Sequence, residues 1–253
     1  MASTASTVRE IKKIFESPEY LHDLSELSCY AESVMQERYM VLLLSKYLYE
    51  QGHKIELEEH FPLEQQDKQG KQKQGITDLV VDGTKVVDGT KIEFKFHYDF
   101  DIHYYLRKEL DRYKDRTATN DEFWNAVRTG KTTTWSVTPG IYKDVWTKKA
   151  DIFVWVICAR DLHGVNEDDL KFINQWPKQQ KHREKLIKSG CKESGSTESL
   201  KSVNPLVERL IEKLKGLPHR PLVSIEEVTI PTTPRCHFPS TYYLRLCEFE
   251  CNH

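Results

Sequence analysis

The stretch from residue 75 to residue 96, GITDLVVDGTKVVDGTKIEFKF, constrains the fold of this chain more than any other. It begins with an apolar run at 76–81, and it ends with a run at 91–96 in which apolar and charged residues alternate. Two Asp-Gly pairs lie between these runs, and that arrangement is the strongest short-range signal for a β-hairpin. We therefore predict two neighbouring β-strands over these residues.

The alternation in the second strand places a carboxylate and an ammonium on the same face. Successive side chains of a strand point to opposite faces, so Glu93 and Lys95 share one face while Ile92, Phe94 and Phe96 share the other. A polar pair and an apolar triplet are thus separated by the sheet itself.

Asp78 interrupts the apolar first strand at a point where the neighbouring strand can bring Glu93 opposite it. Two carboxylates this close repel each other unless a cation lies between them. Oxygen ligands on a rigid sheet suit Mg²⁺ or Mn²⁺, which keep several waters and accept phosphate oxygens. The hairpin therefore predicts a metal site with Asp78 and Glu93 as its ligands.

The hexamer VVDGTK occurs twice in tandem, at residues 80–85 and 86–91. Two copies are too few for a repeat fold, which needs at least about three units to bury a core. We interpret the second copy as a lengthened hairpin tip. Because it adds an even number of residues, Glu93 and Lys95 keep their face whichever copy is the insertion.

Asp78, followed on the next strand by Glu93, Phe94 and Lys95, resembles the motif of the PD-(D/E)XK nuclease superfamily, which includes many restriction endonucleases and DNA-repair nucleases. In that family the matching Asp and Glu hold the metal, and the Lys orients or activates the attacking water. The resemblance covers roughly residues 30–160. It departs from the motif at Thr77, where the family pattern has Pro.

The resemblance implies an Mg²⁺-dependent endonuclease, of restriction or defence type, with Asp78, Glu93 and Lys95 as its catalytic residues. It also implies double-stranded DNA as the partner and a homodimer as a common arrangement. Two alternatives stay open: an RNA nuclease, and a non-catalytic protein that keeps the fold to bind nucleic acid or protein. The motif itself is also compatible with a hairpin whose Glu93 and Lys95 simply face solvent.

Glu37 is a fourth candidate site residue. An amphipathic helix is predicted over residues 25–51, and Glu37 falls on its apolar stripe, where an unpaired buried carboxylate is costly. The resemblance implies that Glu37 is a further metal ligand, because many members place a Glu of the first core helix beside the metal. The alternative is a carboxylate paired with Arg at the edge of the stripe. The stripe comprises Leu27, Ala31, Val34, Val41, Leu42, Ser45 and Leu48.

The rest of the chain predicts helices and strands around this hairpin. The run ADIFVWVICA at 150–159 is typical of a fully buried central strand. The hairpin's second strand is expected to end near His97, which leaves His97 or Asp99 at the mouth of the site. Further strands are predicted at 53–60, 222–230 and 241–250, helices at 8–16, 101–116, 122–128 and 205–215, a loop at 61–75, and a loop or edge strand at 135–141.

These elements predict an α/β fold of the restriction-endonuclease-like type, with a mixed sheet of four to five strands flanked by helices. We expect a nuclease core over residues 1–164 and a C-terminal extension over 165–253, which could bind nucleic acid or mediate dimerisation. The 253 residues suffice for a sizeable core.

Composition favours a protein of the cytoplasm. The sequence contains no apolar run long enough to span a membrane, and its first residues lack the apolar core of a secretory signal. Its six cysteines are scattered, so reduced thiols are expected. A net charge of −2 gives no overall attraction to nucleic acid, although an acidic metal site and basic binding faces can cancel.

Overall fold

A computed structural model describes residues 4–30, 36–66, 72–82, 89–114, 119–130, 136–160, 196–217, 219–231 and 240–250. Six strands form one mixed sheet in the order β1-β2-β3-β4-β6-β5. Strands β3 and β4 are parallel, and every other neighbouring pair is antiparallel. The strands are β1 (Ile55–Gln66), β2 (Gln72–Val81), β3 (Thr90–Tyr98), β4 (Ile152–Arg160), β5 (Leu222–Pro231) and β6 (Ser240–Phe249).

Helices cover both faces of the sheet. On one face lie α1 (Thr4–Glu16), α2 (Pro18–Tyr30) and α3 (Gln36–Glu50), which pack on inward-facing residues of the strands. The other face is covered by α4 (Asp99–Lys114, with a π-helical segment at Ile102–Leu106), α5 (Asn120–Thr129), α6 (Val137–Tyr142, continued by the π-helical segment Lys143–Thr147) and α7 (Ser196–Lys215). None of the described helices has the length and apolar character needed to cross a membrane.

The predicted central strand and hairpin strands are confirmed. β4 is buried along residues 152–159, as expected of a nearly continuous apolar run covered on both faces. β2 and β3 pair antiparallel, while residues 83–88 of the hairpin tip lie outside the described residues. The two C-terminal strands pair with each other, as their alternating patterns indicated.

The sheet is larger than the predicted four to five strands. β6 lies beside β4, so two strands from the segment predicted as a C-terminal extension complete the same sheet and share its cores. Residues 161–195, which contain the predicted boundary, lie outside the described part of the chain.

Several element boundaries were wrong. The helix predicted over 25–51 coincides with parts of α2 and α3, and residues 31–35, with Ala31 and Val34 of the predicted apolar stripe, lie outside the described residues. Leu42 of that stripe is 46% exposed. Val41, Ser45 and Leu48 of the stripe are buried as predicted, and α3 also buries Met40, Leu43 and Leu44. Strands β1 and β2 extend into the predicted loop at 61–75, the predicted loop or edge strand at 135–141 is helical from Val137, and the helix predicted at 205–215 begins at Ser196.

His53 links α1 to the end of β2 through two carboxylates. Its Nδ1 lies 2.7 Å from Asp82 Oδ2 and its Nε2 lies 2.8 Å from Glu10 Oε1, so the protonated ring donates to both. Burial opposes this charge, but the hydrogen bonds with Glu10 and Asp82 outweigh it and raise the pKa of His53 above 6.5. The link is therefore strongest when the ring is protonated.

We expect this link to make stability pH-dependent. A raised folded-state pKa means that the contribution is complete below the unfolded pKa and is lost as pH rises through the folded pKa. Thermal unfolding between about pH 5.5 and about pH 8.5 should therefore show the wild type losing its advantage over His53→Gln as pH rises. A difference in melting temperature between the two proteins that stays constant over this pH range would show that the ring carries no charge in this link.

Candidate active site

Strands β2 and β3 separate part of the way along their length. Their described pairing consists of Leu79 with Ile92, Val80 with Lys91, and Val81 with Thr90. Beyond these pairs, carboxylates take the place of the carbonyl groups of β2 as acceptors for the amides of β3. The result is a gap in the sheet that is lined by acidic side chains.

Asp78 and Glu37 bind the exposed edge of β3 at this gap. Asp78 Oδ2 accepts a hydrogen bond of 2.7 Å from the Phe94 amide, and Glu37 Oε2 accepts one of 2.7 Å from the Phe96 amide. Asp78 approaches from β2, whereas Glu37 reaches the same edge from the first turn of α3. Buried amides need such acceptors, so each carboxylate also stabilises the strand.

Glu93 and Lys95 lie on the sheet face beneath α6. The Glu93 side chain is fully buried, and its Oε2 pairs with Lys148 Nζ at 2.5 Å. Lys95 is one-third exposed, and its Nζ lies 3.7 Å from Asp144 Oδ2. The alternative of a solvent-facing hairpin is therefore wrong for Glu93, while Lys95 remains accessible from outside.

Asp144 and Lys148 were not recognised as a pair in the sequence. Both come from the end of α6, four residues apart, and Lys148 Nζ lies 3.1 Å from Asp144 Oδ1. The sequence signal is the DVWTK spacing at 144–148, just before a buried strand. Because no helix was predicted over these residues, the helical i, i+4 relation between Asp144 and Lys148 was missed.

A close approach between α6 and β3 positions the Lys95 side chain. A Cβ atom added at Gly140 would lie 3.3 Å from Lys95 Cε, which is tighter than most real contacts. The helix backbone thus lies directly against the stem of Lys95. Glycine permits this approach because it has no side chain to push the stem aside.

Glu109 anchors the first turn of α6 and so keeps the helix against Lys95. Its carboxylate is buried and accepts hydrogen bonds from the first amides of α6, from Val137 at 3.1 Å and from Thr138 at 2.7 Å. These amides have no partner within the helix, and the carboxylate also complements the helix dipole. Burial raises the pKa of Glu109, although the amide bonds oppose that shift.

We expect Glu109→Gln to destabilise the fold by about 1–3 kcal/mol, because one buried amide loses its acceptor and the charge at the helix end is removed. Urea unfolding measures this change. Glu212→Gln is the matched control, since Glu212 forms an exposed pair with Lys215 and such pairs contribute at most about 1 kcal/mol. Equal losses in the two variants would contradict the role of Glu109.

The electrostatics of the site favour a bound cation. Burial and the neighbouring Asp78 raise the pKa of Glu93 well above its usual value. Burial also raises the pKa values of Asp78 and Glu37, in the latter case against the attraction of Lys95. Each shift means that the charged carboxylate lacks sufficient positive charge nearby.

The donor set fits Mg²⁺ or Mn²⁺. Glu93 Oε1 and Asp144 Oδ2 are buried and accept no hydrogen bond from any residue that the structure describes. In addition to burial, the charge of Asp78 acts on Glu93 and raises its pKa, and a cation between the two carboxylates would relieve that repulsion. Carboxylate oxygens are the preferred ligands of these ions.

The carboxylates are nevertheless not arranged as a finished metal site. In the described part of the chain, no three His, Cys, Asp or Glu residues form a group ready to coordinate one ion. Their oxygens bind instead to Lys148 and to the amides of β3. Metal binding therefore requires some of these contacts to rearrange.

A cavity of about 530 Å³ opens beside Asp78 and Glu37. Its wall includes the half-exposed side chains Leu42 and Leu57, and its rim carries an ion pair of 3.0 Å between Arg38 and Glu58. The cavity gives a ligand access to Asp78 and Glu37 at the edge of the gap.

His97 does not lie at the mouth of the site as predicted. It is buried, and its Nδ1 accepts a hydrogen bond of 3.0 Å from Trp155 Nε1. Burial lowers the pKa of His97 to about 3, so the ring is neutral and belongs to the core. Asp99 is the first residue of α4, where its charge complements the helix dipole.

The four residues selected from the sequence thus lie around one gap. Asp78 approaches Glu93, and the charge of Glu37 interacts with those of Lys95 and Asp78.

No family model matches the chain, and neither curated proteins nor solved structures include a match to it.

Proposed function

We propose that this protein is a metal-dependent endonuclease that hydrolyses phosphodiester bonds of DNA. The observation that carries this proposal is the convergence of Asp78, Glu93 and Lys95 at the gap between β2 and β3. A carboxylate pair in need of a cation lies there beside an accessible ammonium group. The resemblance to the PD-(D/E)XK pattern assigns to these residues the same roles that their chemistry supports.

Asp78 and Glu93 would hold the metal ion, with Glu37 as a further ligand from α3. When bound, the ion stabilises negative charge on the phosphate and lowers the pKa of a bound water. Glu37 and Asp78 meanwhile keep β3 in position through the Phe96 and Phe94 amides, so the ligands and the strand that carries Lys95 form one unit.

Lys95 would hold the attacking water and donate a hydrogen bond to a phosphate oxygen. Its stem is fixed against Gly140, and its ammonium is one-third exposed, so the group is positioned and yet reachable by substrate. Positioning of this kind supplies much of the rate enhancement in phosphodiester hydrolysis.

The substrate strand would enter through the cavity beside Asp78. Exposed Lys143 lies on the segment that carries Asp144 and Lys148 and offers a phosphate contact near the site. A double-stranded cut requires two such sites, which is the reason to expect a homodimer on DNA. A restriction or defence role is the biological setting that fits this activity best.

Incubation of the wild type with supercoiled plasmid DNA and with RNA, in Mg²⁺, Mn²⁺ or EDTA, tests the proposal. We expect nicked or linear plasmid with either metal and none with EDTA. Cleavage of RNA alone would identify an RNA nuclease. Binding of DNA without cleavage under any of these conditions would replace the proposal with a binding protein on a nuclease-like fold.

A further inference from the structure

Lys148 places a permanent positive charge inside the acidic gap. Its side chain is only 13% exposed, and its Nζ contacts Glu93 Oε2 at 2.5 Å and Asp144 Oδ1 at 3.1 Å. Both of those carboxylates are buried, with 0% and 5% of the side chain exposed. The ammonium group thus binds the same kind of oxygen pair that a divalent cation would bind.

The ammonium is well suited to remain there in its charged form. The carboxylate oxygens of Glu93 and Asp144 lie 2.5 Å and 3.1 Å from Nζ, so two negative charges offset the burial of the ammonium. Its backbone is fixed as well, because it ends the π-helical continuation of α6, and α6 is anchored by Glu109. A cation from solvent must therefore compete with a charge that is attached to the fold.

Charge balance then indicates how many metal ions the gap accepts. In the described part of the chain, the gap contains four carboxylates and two ammonium groups, which leaves two negative charges when all are ionised. The carboxylates belong to Glu37, Asp78, Glu93 and Asp144, and the ammonium groups belong to Lys95 and Lys148. A single divalent cation neutralises this excess, whereas a second would add uncompensated positive charge in a poorly solvated place.

We propose that Lys148 is a positioning residue that takes the place of a second metal ion and restricts the site to one divalent cation. This inference rests on the proposed metal-dependent function, since it concerns the same gap. In it, Lys148 holds Glu93 Oε2 and Asp144 Oδ1, and Asp78 and Glu93 would hold the metal ion. The ligand class is a single hard divalent cation such as Mn²⁺ or Mg²⁺.

Mn²⁺ binding to the intact protein, followed by isothermal titration and by the electron paramagnetic resonance of free Mn²⁺, tests this without any assay of cleavage. We expect about one Mn²⁺ per chain in the wild type and about two in Lys148→Met, where an uncompensated carboxylate pair becomes available. Without metal, Lys148→Met should melt several degrees below the wild type. Added Mn²⁺ should raise the melting temperature of Lys148→Met more than that of the wild type, because the ion binds only the folded state. Lys201→Met, which removes an exposed lysine of α7, should match the wild type in both readouts.

Two bound Mn²⁺ in the wild type would overturn the inference, as would a Lys148→Met protein with unchanged stoichiometry and an unchanged response to Mn²⁺. If Lys148→Met does not fold, the double variant Asp144→Asn/Lys148→Met removes the buried charge together with one of its partners and leaves Asp78 and Glu93 in place. That variant leaves the same charge balance as the wild type, so it should bind about one Mn²⁺, and binding of none or two would equally overturn the inference. A wild type that binds one Mn²⁺ but cuts no DNA would refute the proposed function alone.

Discussion

Lys95→Ala should abolish DNA cleavage while leaving metal-dependent DNA binding nearly unchanged. The ammonium lies 3.7 Å from Asp144, and Asp144 keeps its closer contact with Lys148 at 3.1 Å, so the fold should survive the removal of Lys95. If the group acts mainly in the hydrolytic step, its loss lowers turnover by about 10²–10⁴-fold but affinity very little. Single-turnover cleavage of plasmid DNA, together with DNA binding in Ca²⁺, measures the two effects separately.

Lys46→Ala is the matched control for this experiment. Lys46 forms a surface pair with Asp23 on the helices of the opposite sheet face, and its loss should change neither cleavage nor binding. If Lys95→Ala cuts plasmid DNA at the wild-type rate, Lys95 is not part of the active site. A parallel loss of binding and cleavage would instead assign Lys95 to substrate binding.

Asp78→Asn should remove metal binding and cleavage together. The amide oxygen of asparagine can still accept the hydrogen bond from the Phe94 amide, so the edge of β3 keeps its acceptor and the fold survives. The charge that the metal requires is lost. Because altering even an outer-shell partner typically costs about 10–100-fold in metal affinity, we expect a loss of more than about 100-fold for this direct ligand.

Calorimetric titration with Mn²⁺ measures the affinity, and circular dichroism verifies the fold of Asp78→Asn. Asp111→Asn is the control, since Asp111 is exposed and pairs only loosely with Arg209 at 3.6 Å. Wild-type affinity for Mn²⁺ in Asp78→Asn would show that the metal, if bound, is held elsewhere in the chain.

Local rules predicted the hairpin and the central strand because short-range chemistry determines both. Two Asp-Gly pairs between an apolar run and an alternating run favour a hairpin, and strand parity then places Glu93 and Lys95 on one face. The apolar run of β4 leaves little choice but burial on both faces, and the structure places it between β3 and β6. In each case the deciding information lies within about ten residues.

The remaining site residues depend on contacts that are distant in sequence. Lys148 reaches Glu93 across 55 residues, and Glu109 holds α6 across 28. The helix and strand periods of a sequence carry no information about such distant contacts. A single lysine before a strand is more often exposed to solvent. Leu42 was assigned to the apolar stripe of α3 for a similar reason, because it extends the helical period, but its side chain faces outward beside the cavity.

The short pairing between β2 and β3 has a mechanical consequence. β1 and β2 pair with each other over most of their length, and β1 alone spans about 40 Å at the usual rise per residue. In the described residues this ribbon is joined to β3 through three residue pairs, all at the C-terminal end of β2. Asp78 lies on the ribbon and Glu93 on β3, so the two carboxylates belong to the two sides of this junction. A cation that binds both carboxylates would therefore also tie the ribbon to the rest of the sheet.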